Sequence, residues 1–403
     1  DDMSFRSLKS WLMPVISQRF LSRERLLALR RKAEQKRQSQ SRPHVLHFFH
    51  QVDDPYSQLL AQAIPLLKSR YAVSILQHVV GDPDDSAVPE RDKLKAYSQL
   101  DAARLASQYG LRWPDAGDPP NTPKPTAESL QTSHRLRKTW GHYLSGMIYY
   151  EGEWYWGIDR LHHLESRLTD LGLSTHKKTH QQKHIPPLFE TPQYQPLSNV
   201  PEGTSIDFYF SLRSPYSAIS IAKIFDWAKA NNVQVNLKYV LPMVMRGLPV
   251  PVEKRKYISL DAAREARLQN VSFGCVNDPV GKPTERGLAL IPFAQMHQLA
   301  EAYIQSFMQG VWAEGLDAGI DPHLKIIVER AGLNWQAAKD ILKNKANDTH
   351  WRAVAEQNRQ AMLALGLWGV PSFRFEETAV WGQDRFWVIE KAMRAKFDPS
   401  SHT

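Results

Sequence analysis

The stretch SIDFYFSLRSPYSAI, residues 205–219, is typical of a buried strand that passes through a short polar turn into a helix. Serine is favoured as a helix N-cap and proline at the first helical position, so we expect this helix to begin at Ser214 and extend to Ala230. A second strand is predicted at 233–240, and helices, a strand pair near 370–380 and a closing helix follow. This order of elements predicts an α/β fold with a mixed sheet.

The same pattern occurs earlier in the chain, where residues 44–59 read HVLHFFHQVDDPYSQL. Both stretches contain an aromatic-rich run, a polar turn and then Pro-Tyr-Ser at the start of an amphipathic helix. Asp54 of the first stretch corresponds to Ser214 of the second, and the LDAAR segments at 100–104 and 260–264 are separated by the same offset. Self-similarity at a fixed offset indicates an internal structural repeat.

A later pair of segments defines the extent of each copy. WGIDR at 156–160 corresponds to WGQDR at 381–385, at a larger offset than the earlier segments. The second copy therefore has additional sequence after LDAAR, in a helical-looking region at about 289–364. We interpret the chain as a first copy at 44–172, a linker at 173–202 and a second copy at 203–397, preceded by a basic arm.

The composition fits a globular protein with two or three domains, because the 403 residues are 42% hydrophobic and 23% charged. No stretch approaches the ~18 uninterrupted apolar residues of a membrane-spanning helix, which excludes a channel or transporter. Cys275 is the only cysteine, which excludes an intramolecular disulfide, a Cys-x-x-Cys redox pair and a cysteine-cluster metal site. A single cysteine fits a reducing compartment, so we expect a cytoplasmic protein.

The arm, residues 1–43, contains eleven basic and four acidic residues and therefore carries +7 of the chain's net charge of +9. The remainder is nearly neutral, which argues against nucleic acid as a partner. Apolar residues recur in the arm at helical spacing: Phe5, Leu8, Trp11, Leu12, Val15, Ile16 and Phe20. Three interpretations stay open, namely packing against the protein's own body or a sister subunit, docking on an anionic membrane surface, and docking on a partner protein.

The linker at 173–202 is rich in proline, histidine and lysine and is predicted to be a solvated connector. His176, His180 and His184 are four residues apart, a spacing that could present imidazoles to a metal from one helical face. No acidic or cysteine partner accompanies them, and Pro186-Pro187 would end such a helix. We therefore predict no metal site.

Three motifs in order carry a resemblance to a known family: FYFSLRSPYSAI at 208–219, LGLWGVPSFRF at 365–375 and VWGQDRFWVIEKA at 380–392. They resemble the 2-hydroxychromene-2-carboxylate isomerase and kappa-class glutathione transferase family, thioredoxin-fold proteins related to DsbA. The resemblance covers roughly the whole second copy, and the first copy shares only its opening, LDAAR and WGIDR. It implies two tandem thioredoxin-like domains with α-helical insertions between the βαβ and ββα halves.

The resemblance also implies glutathione as a thiol cofactor and matches residues of the second copy to it. Ser214 matches the catalytic serine beside the glutathione sulfur. Pro371 matches the cis-proline, and Val370 before it would contact the cysteinyl unit through its backbone.

Further residues match the family's remaining contacts. Gln383 and Asp384, at the start of the predicted last helix, match the pair that holds the γ-glutamyl end. Lys254 matches a lysine that reaches glutathione. Tyr216 is a candidate substrate contact, and the alternative for its ring is a place in the core.

The position of Ser214 has a physical meaning of its own. A helix N-terminus favours an anion, and a hydroxyl there can donate a hydrogen bond to a thiolate, although Ser214 could equally be only a cap. In the first copy Asp54 stands at this position; it caps a helix as well as serine but would repel a thiolate. Gly146 stands where the second copy has its proline. We interpret the first copy as a structural one.

These features favour an enzyme with a small-molecule substrate. Glutathione's thiolate would act as the nucleophile, either in a reversible addition that isomerises an aromatic or electrophilic substrate or in a transfer that keeps the adduct. The alternative is a non-catalytic tandem thioredoxin-fold protein that binds or docks. A dithiol oxidoreductase is excluded because no cysteine lies near Pro215. A homodimer and an intramolecular pseudo-dimer both remain open.

Overall fold

The structure is a computed structural model that describes residues 2–88, 90–113, 125–175 and 186–398, without the side chains of 2–10 and 345–348. The linker histidines His176, His180 and His184 lie outside the described residues, so the prediction about them stays a prediction.

The chain divides into two compact units. The first unit comprises Leu26–Pro192 with Pro251–Tyr257, and the second comprises Asp1–Arg25, Gln193–Val250 and Ile258–Thr403. Residues of the arm therefore belong partly to each unit.

Two helices form the arm, and a sheet with its helices follows in the first unit. The elements in chain order are α1 (Asp2–Leu21), α2 (Arg23–Ser39), β1 (Val45–His50), α3 (Pro55–Arg70), β2 (Ser74–Val79), α4 (Arg91–Tyr109), α5 (Ala127–Thr139), β3 (Met147–Tyr150), β4 (Glu153–Trp156) and α6 (Leu161–Asp170).

The remaining elements form the second sheet and a larger set of helices. They are β5 (Ser205–Phe210), α7 (Pro215–Ala230), β6 (Gln234–Tyr239), α8 (Val252–Leu268), α9 (Lys282–Ala289), α10 (Ile291–Met296), α11 (Ala300–Ala313), α12 (Asp321–Arg330), α13 (Trp335–Lys343), α14 (Lys345–Ala364), β7 (Ser372–Phe375), β8 (Thr378–Trp381) and α15 (Phe386–Phe397).

The two four-stranded sheets have the same architecture. Their strand orders are β2-β1-β3-β4 and β6-β5-β7-β8, each with one parallel pair followed by an antiparallel hairpin. β5 and β6 follow β1 and β2 at the offset that relates Ser214 to Asp54, and the second hairpin follows the first at the offset of the two WGxDR segments. The predicted α/β class is confirmed, and helices α10–α14 lie in the region at about 289–364 where the insertion of the second copy was predicted.

The repeated motifs also make the same contact in both units. The Tyr56 hydroxyl donates to the Asp101 carboxylate over 2.8 Å, and the Tyr216 hydroxyl donates to the Asp261 carboxylate over 2.7 Å. In each unit the tyrosine belongs to the Pro-Tyr-Ser segment and the aspartate to the LDAAR segment, so the hydrogen bond joins these two segments within one copy.

Among the described residues, no helix is both long and apolar enough to cross a membrane.

Candidate functional site

Ser214 lies in the turn between β5 and α7. Its backbone is extended (φ −98°, ψ 116°), and its Oγ accepts a hydrogen bond from the Ser217 backbone N–H over 3.1 Å, so the predicted N-cap is present. The side chain is largely covered, with 8% of the residue exposed. A buried cap of this kind places one hydroxyl at the positive end of a 16-residue helix.

Val370 and Pro371 lie against this cap because β7, which they precede, pairs antiparallel with β5. The peptide bond between them is cis, as the resemblance implied. The Ser214 Oγ donates to the Val370 carbonyl oxygen over 3.4 Å. The Val370 N–H donates no hydrogen bond to any residue that the structure describes. The fold thus places Ser214 beside Val370 and Pro371.

The loop before the cis bond is packed tightly onto Trp381 at the end of β8. A Cβ on Gly369 would lie 2.4 Å from the Trp381 ring, so only glycine fits at this position. Trp368 contacts the same indole, with ring centroids 5.0 Å apart. These contacts fix the loop that carries Val370.

Gln383 and Asp384 lie in a 3₁₀ turn after β8. The last helix begins at Phe386, so the predicted start at Asp384 is wrong by two residues; the intervening turn is 3₁₀ rather than α. Gln383 is buried, and its amide donates to Glu265 over 3.3 Å and accepts from Gln269 over 3.2 Å. The half-buried Asp384 carboxylate lies 3.6 Å from Arg385 Nη1.

Lys254 and Tyr216 make contacts of a structural kind. Lys254 belongs to the first unit, where its Nζ donates to the Ala87 carbonyl oxygen over 2.8 Å, and burial lowers its pKa to about 8. The Tyr216 hydroxyl donates a hydrogen bond to the buried Asp261, and its ring packs against the buried side chains of Ile219, Ala262 and Ala266. No described contact joins either residue to Ser214, and their roles toward a ligand stay predictions.

Ser217 is a candidate that the sequence reasoning missed. Its hydroxyl is fully buried and has no hydrogen-bond partner among the residues described. In the first unit the equivalent Ser57 hydroxyl donates to Asp54 Oδ2 over 2.7 Å. Ser217 is the serine of the Pro-Tyr-Ser motif, so the sequence does mark this residue. The burial of its hydroxyl, however, depends on tertiary packing.

Arg213 does not add a free positive charge next to the cap. Its guanidinium makes two hydrogen bonds of 2.7 Å to the Asp278 carboxylate. The bidentate ion pair largely cancels the two charges at this point. Any preference of the site for an anion therefore comes mainly from the α7 N-terminus and the hydroxyl of Ser214.

The equivalent position of the first unit has a different chemistry. Asp54 Oδ2 accepts hydrogen bonds from the Ser57 N–H (3.0 Å), the Ser57 hydroxyl (2.7 Å) and the Ser145 hydroxyl (3.1 Å). Burial raises the pKa of Asp54, and these donors offset part of that effect. A Cβ on Gly146 would lie 3.2 Å from the same oxygen. The carboxylate thus fills the place that a thiolate would need.

A small cavity of about 170 Å³ opens beside Asp54. Its charged lining residues comprise four carboxylates and two cations: Asp53, Asp54, Asp82, Asp92, Arg91 and Lys95. An acidic cavity of this composition disfavours a thiolate ligand.

Comparisons with known proteins identify the fold of the second copy. Residues 205–394 match the family model of the DSBA-like thioredoxin domain. Relatives named 2-hydroxychromene-2-carboxylate isomerase occur in Pseudomonas putida (22% identity, 47% of this chain and 93% of the relative) and Sphingobium xenophagum (24% identity, 46% and 96%). A solved structure of such an isomerase aligns at 20% identity with a TM-score of 0.43, covering 49% of this chain and 98% of that one. Residues 205–394 therefore resemble a DSBA-like thioredoxin domain.

Proposed function

We propose that the second unit is a glutathione-dependent isomerase of the 2-hydroxychromene-2-carboxylate type or a transferase of the kappa type. One observation carries the proposal: the Ser214 hydroxyl, at a helix N-terminus, lies beside the Val370 carbonyl and the cis-proline Pro371. The relatives named as isomerases match over more than nine-tenths of their length, which supports an isomerase.

The residues present fit a thiol ligand at this place. A serine hydroxyl can donate one hydrogen bond, and among the described residues Ser214 donates to the Val370 carbonyl oxygen over a long 3.4 Å. Breaking this weak bond costs little free energy, so the hydroxyl can donate to a bound anion instead. The helix N-terminus stabilises negative charge at the same point. When bound, glutathione would supply a thiol nucleophile for reversible addition to an activated double bond.

Other groups would hold the peptide part of this cofactor. The Val370 N–H has no acceptor among the described residues, and its carbonyl oxygen accepts the long hydrogen bond from Ser214, so both groups can pair with an extended peptide backbone. The Asp384 carboxylate would bind the γ-glutamyl ammonium, with the Gln383 amide beside it. Lys254 would need to leave the Ala87 carbonyl to take part.

Isomerase and transferase share these residues, because they differ only in whether the thiol is expelled again or kept in the product. A dithiol mechanism is excluded, since Cys275 is the only cysteine. A reduced thiol as cofactor is consistent with the cytoplasmic compartment that the sequence predicts.

The second candidate function is a non-catalytic protein that binds or docks. This candidate is supported by the hydrogen bonds of Gln383: its amide oxygen accepts from Gln269 and its amide nitrogen donates to Glu265. Both polar atoms of the side chain therefore already have protein partners. This candidate predicts a fold with no thiol-dependent turnover.

The test is an assay of isomerisation of 2-hydroxychromene-2-carboxylate, and of conjugation of an activated aryl halide, with and without reduced glutathione. We expect glutathione-dependent turnover that Ser214→Ala lowers by about 100-fold, the usual scale for one lost donor to a developing anion. Ser220→Ala is the matched control, since Ser220 is a buried serine on the same helix whose hydroxyl donates to the Ser217 carbonyl oxygen. Equal turnover in Ser214→Ala and wild type would contradict the role of Ser214.

A further inference from the structure

One face of α1 is fixed to the second unit. The Ser17 hydroxyl accepts a hydrogen bond from the Val276 N–H over 2.8 Å, and its own proton can go to the Pro14 carbonyl oxygen at 3.0 Å or to the Val276 carbonyl oxygen at 3.2 Å. A Cβ on Gly315 would lie 2.5 Å from Pro14, so the helix and this glycine are in close contact. Leu21, at the end of α1, is buried. Residues 14, 17 and 21 recur every three to four positions and therefore define one helical face.

The opposite face of α1, which we call the outer face, consists of Trp11, Leu12, Val15 and Ile16. Their exposed fractions are 71%, 37%, 60% and 60%. Their spacing places them together on the side away from Pro14 and Ser17. Four adjacent large apolar side chains in solvent form a continuous patch, and such patches mark sites of protein or membrane interaction. The helix thus packs through its less apolar side.

Positive charge accompanies the outer face. Arg19 follows Val15 by one helical turn on the same face, and Arg23 begins the next helix. Both are exposed, and neither side chain makes an ion pair or hydrogen bond to another described residue. The occupant of this face must therefore offer both an apolar layer and negative charge.

We propose that the outer face of α1 docks the protein peripherally on an anionic phospholipid surface. A bilayer interface offers acyl chains to aliphatic side chains, a headgroup region that suits tryptophan, and phosphates for arginine. Since the inner face is held by Ser17 and Pro14, the helix would lie flat, with Trp11, Val15 and Ile16 entering the interface. This inference does not depend on the function proposed for Ser214.

The test is co-sedimentation of the full chain with vesicles of phosphatidylcholine alone or mixed with phosphatidylglycerol. We expect binding to the anionic vesicles, weaker binding to the neutral ones, and loss of binding as salt is raised to ~0.5 M. Trp11→Ala should lower the partition coefficient by about ten-fold or more, because burying one large apolar side chain contributes about that factor. The double variant Val15→Glu with Ile16→Glu should abolish binding.

Met296→Glu is the matched control, because Met296 is 72% exposed on another helix; it should bind vesicles as wild type does. Far-ultraviolet circular dichroism and thermal melting confirm that each variant is folded. Three results would overturn the proposal: no binding to anionic vesicles, unchanged binding of the Val15/Ile16 variant, or a self-association in sedimentation velocity that this variant removes without any vesicle binding. The last result would assign the face to a second copy of the chain.

Discussion

The Ser214 hydroxyl and the Val370 carbonyl oxygen lie 3.4 Å apart although 156 residues separate them in the chain. The bond joins the βαβ part of the second unit to its terminal hairpin. Because it is long, the serine donor remains available to a ligand anion. The helix cap and the donor are therefore two separable properties of one side chain.

Ser214→Asp separates these two properties. Aspartate caps a helix as well as serine, so we expect α7 to remain formed, with the free energy of unfolding lowered by about 1–3 kcal/mol because a carboxylate replaces a hydroxyl at a buried position. Its charge would repel a thiolate, and glutathione affinity should fall by at least about ten-fold. Chemical denaturation and equilibrium dialysis with labelled glutathione measure the two effects. Unchanged affinity would show that the ligand, if bound, does not bring its sulfur to this cap.

Ser217→Ala tests the buried hydroxyl that has no described partner. Removing an unsatisfied buried hydroxyl should leave stability unchanged or raise it by about 1 kcal/mol. If this hydroxyl also assists the anion, the pKa of bound glutathione's thiol should rise in the variant. Ultraviolet absorbance of the thiolate against pH measures it, with Ser220→Ala as control. A stabilised variant with an unchanged thiol pKa would make Ser217 purely structural.

Lys254 should make stability depend on pH. Burial lowers its folded pKa to about 8 from an ordinary 10.5, so between these values the unfolded chain binds more protons than the folded one. The contribution of Lys254 to the free energy of unfolding therefore rises as pH increases from about 8 to about 10. In Lys254→Met, the free energy of unfolding, measured by urea denaturation at a series of pH values, should rise less steeply with pH than in wild type. An identical slope in both proteins would show that Lys254 is solvated.

Gly315→Ala should release α1 from the second unit. The new methyl would meet Pro14 at 2.5 Å, and the backbone φ of +71° is itself unfavourable for alanine. Gly366→Ala is the matched control, with φ +76° and nothing within 4 Å. We expect faster amide exchange in α1 only in the first variant. Equal exchange in both would mean that the Pro14 contact does not hold the helix.

Local sequence patterns predicted much of the fold. The helix predicted from Ser214 to Ala230 agrees with α7 within one residue, and the aromatic-rich run before it forms β5, because such a run and a Ser-Pro cap are local signals. The two internal correspondences, Asp54 with Ser214 and WGIDR with WGQDR, predicted where the second set of strands would occur.

Tertiary contacts could not be predicted from local sequence patterns. The hydrogen bond from Lys254 to Ala87 joins residues 167 apart, and no local pattern specifies it. The burial of the Ser217 hydroxyl depends on packing around α7. The periodicity of α1 indicated an apolar face, but not that Ser17 and Pro14 would pack inward and leave Trp11 exposed.

The most direct test of the central claim is calorimetric titration of the full chain with reduced glutathione. We predict one site per chain, because the second unit has Ser214 beside Val370 whereas Asp54 fills the equivalent place in the first unit. Two sites per chain would contradict the structural role assigned to the first copy. No heat of binding at millimolar glutathione would contradict the glutathione site itself.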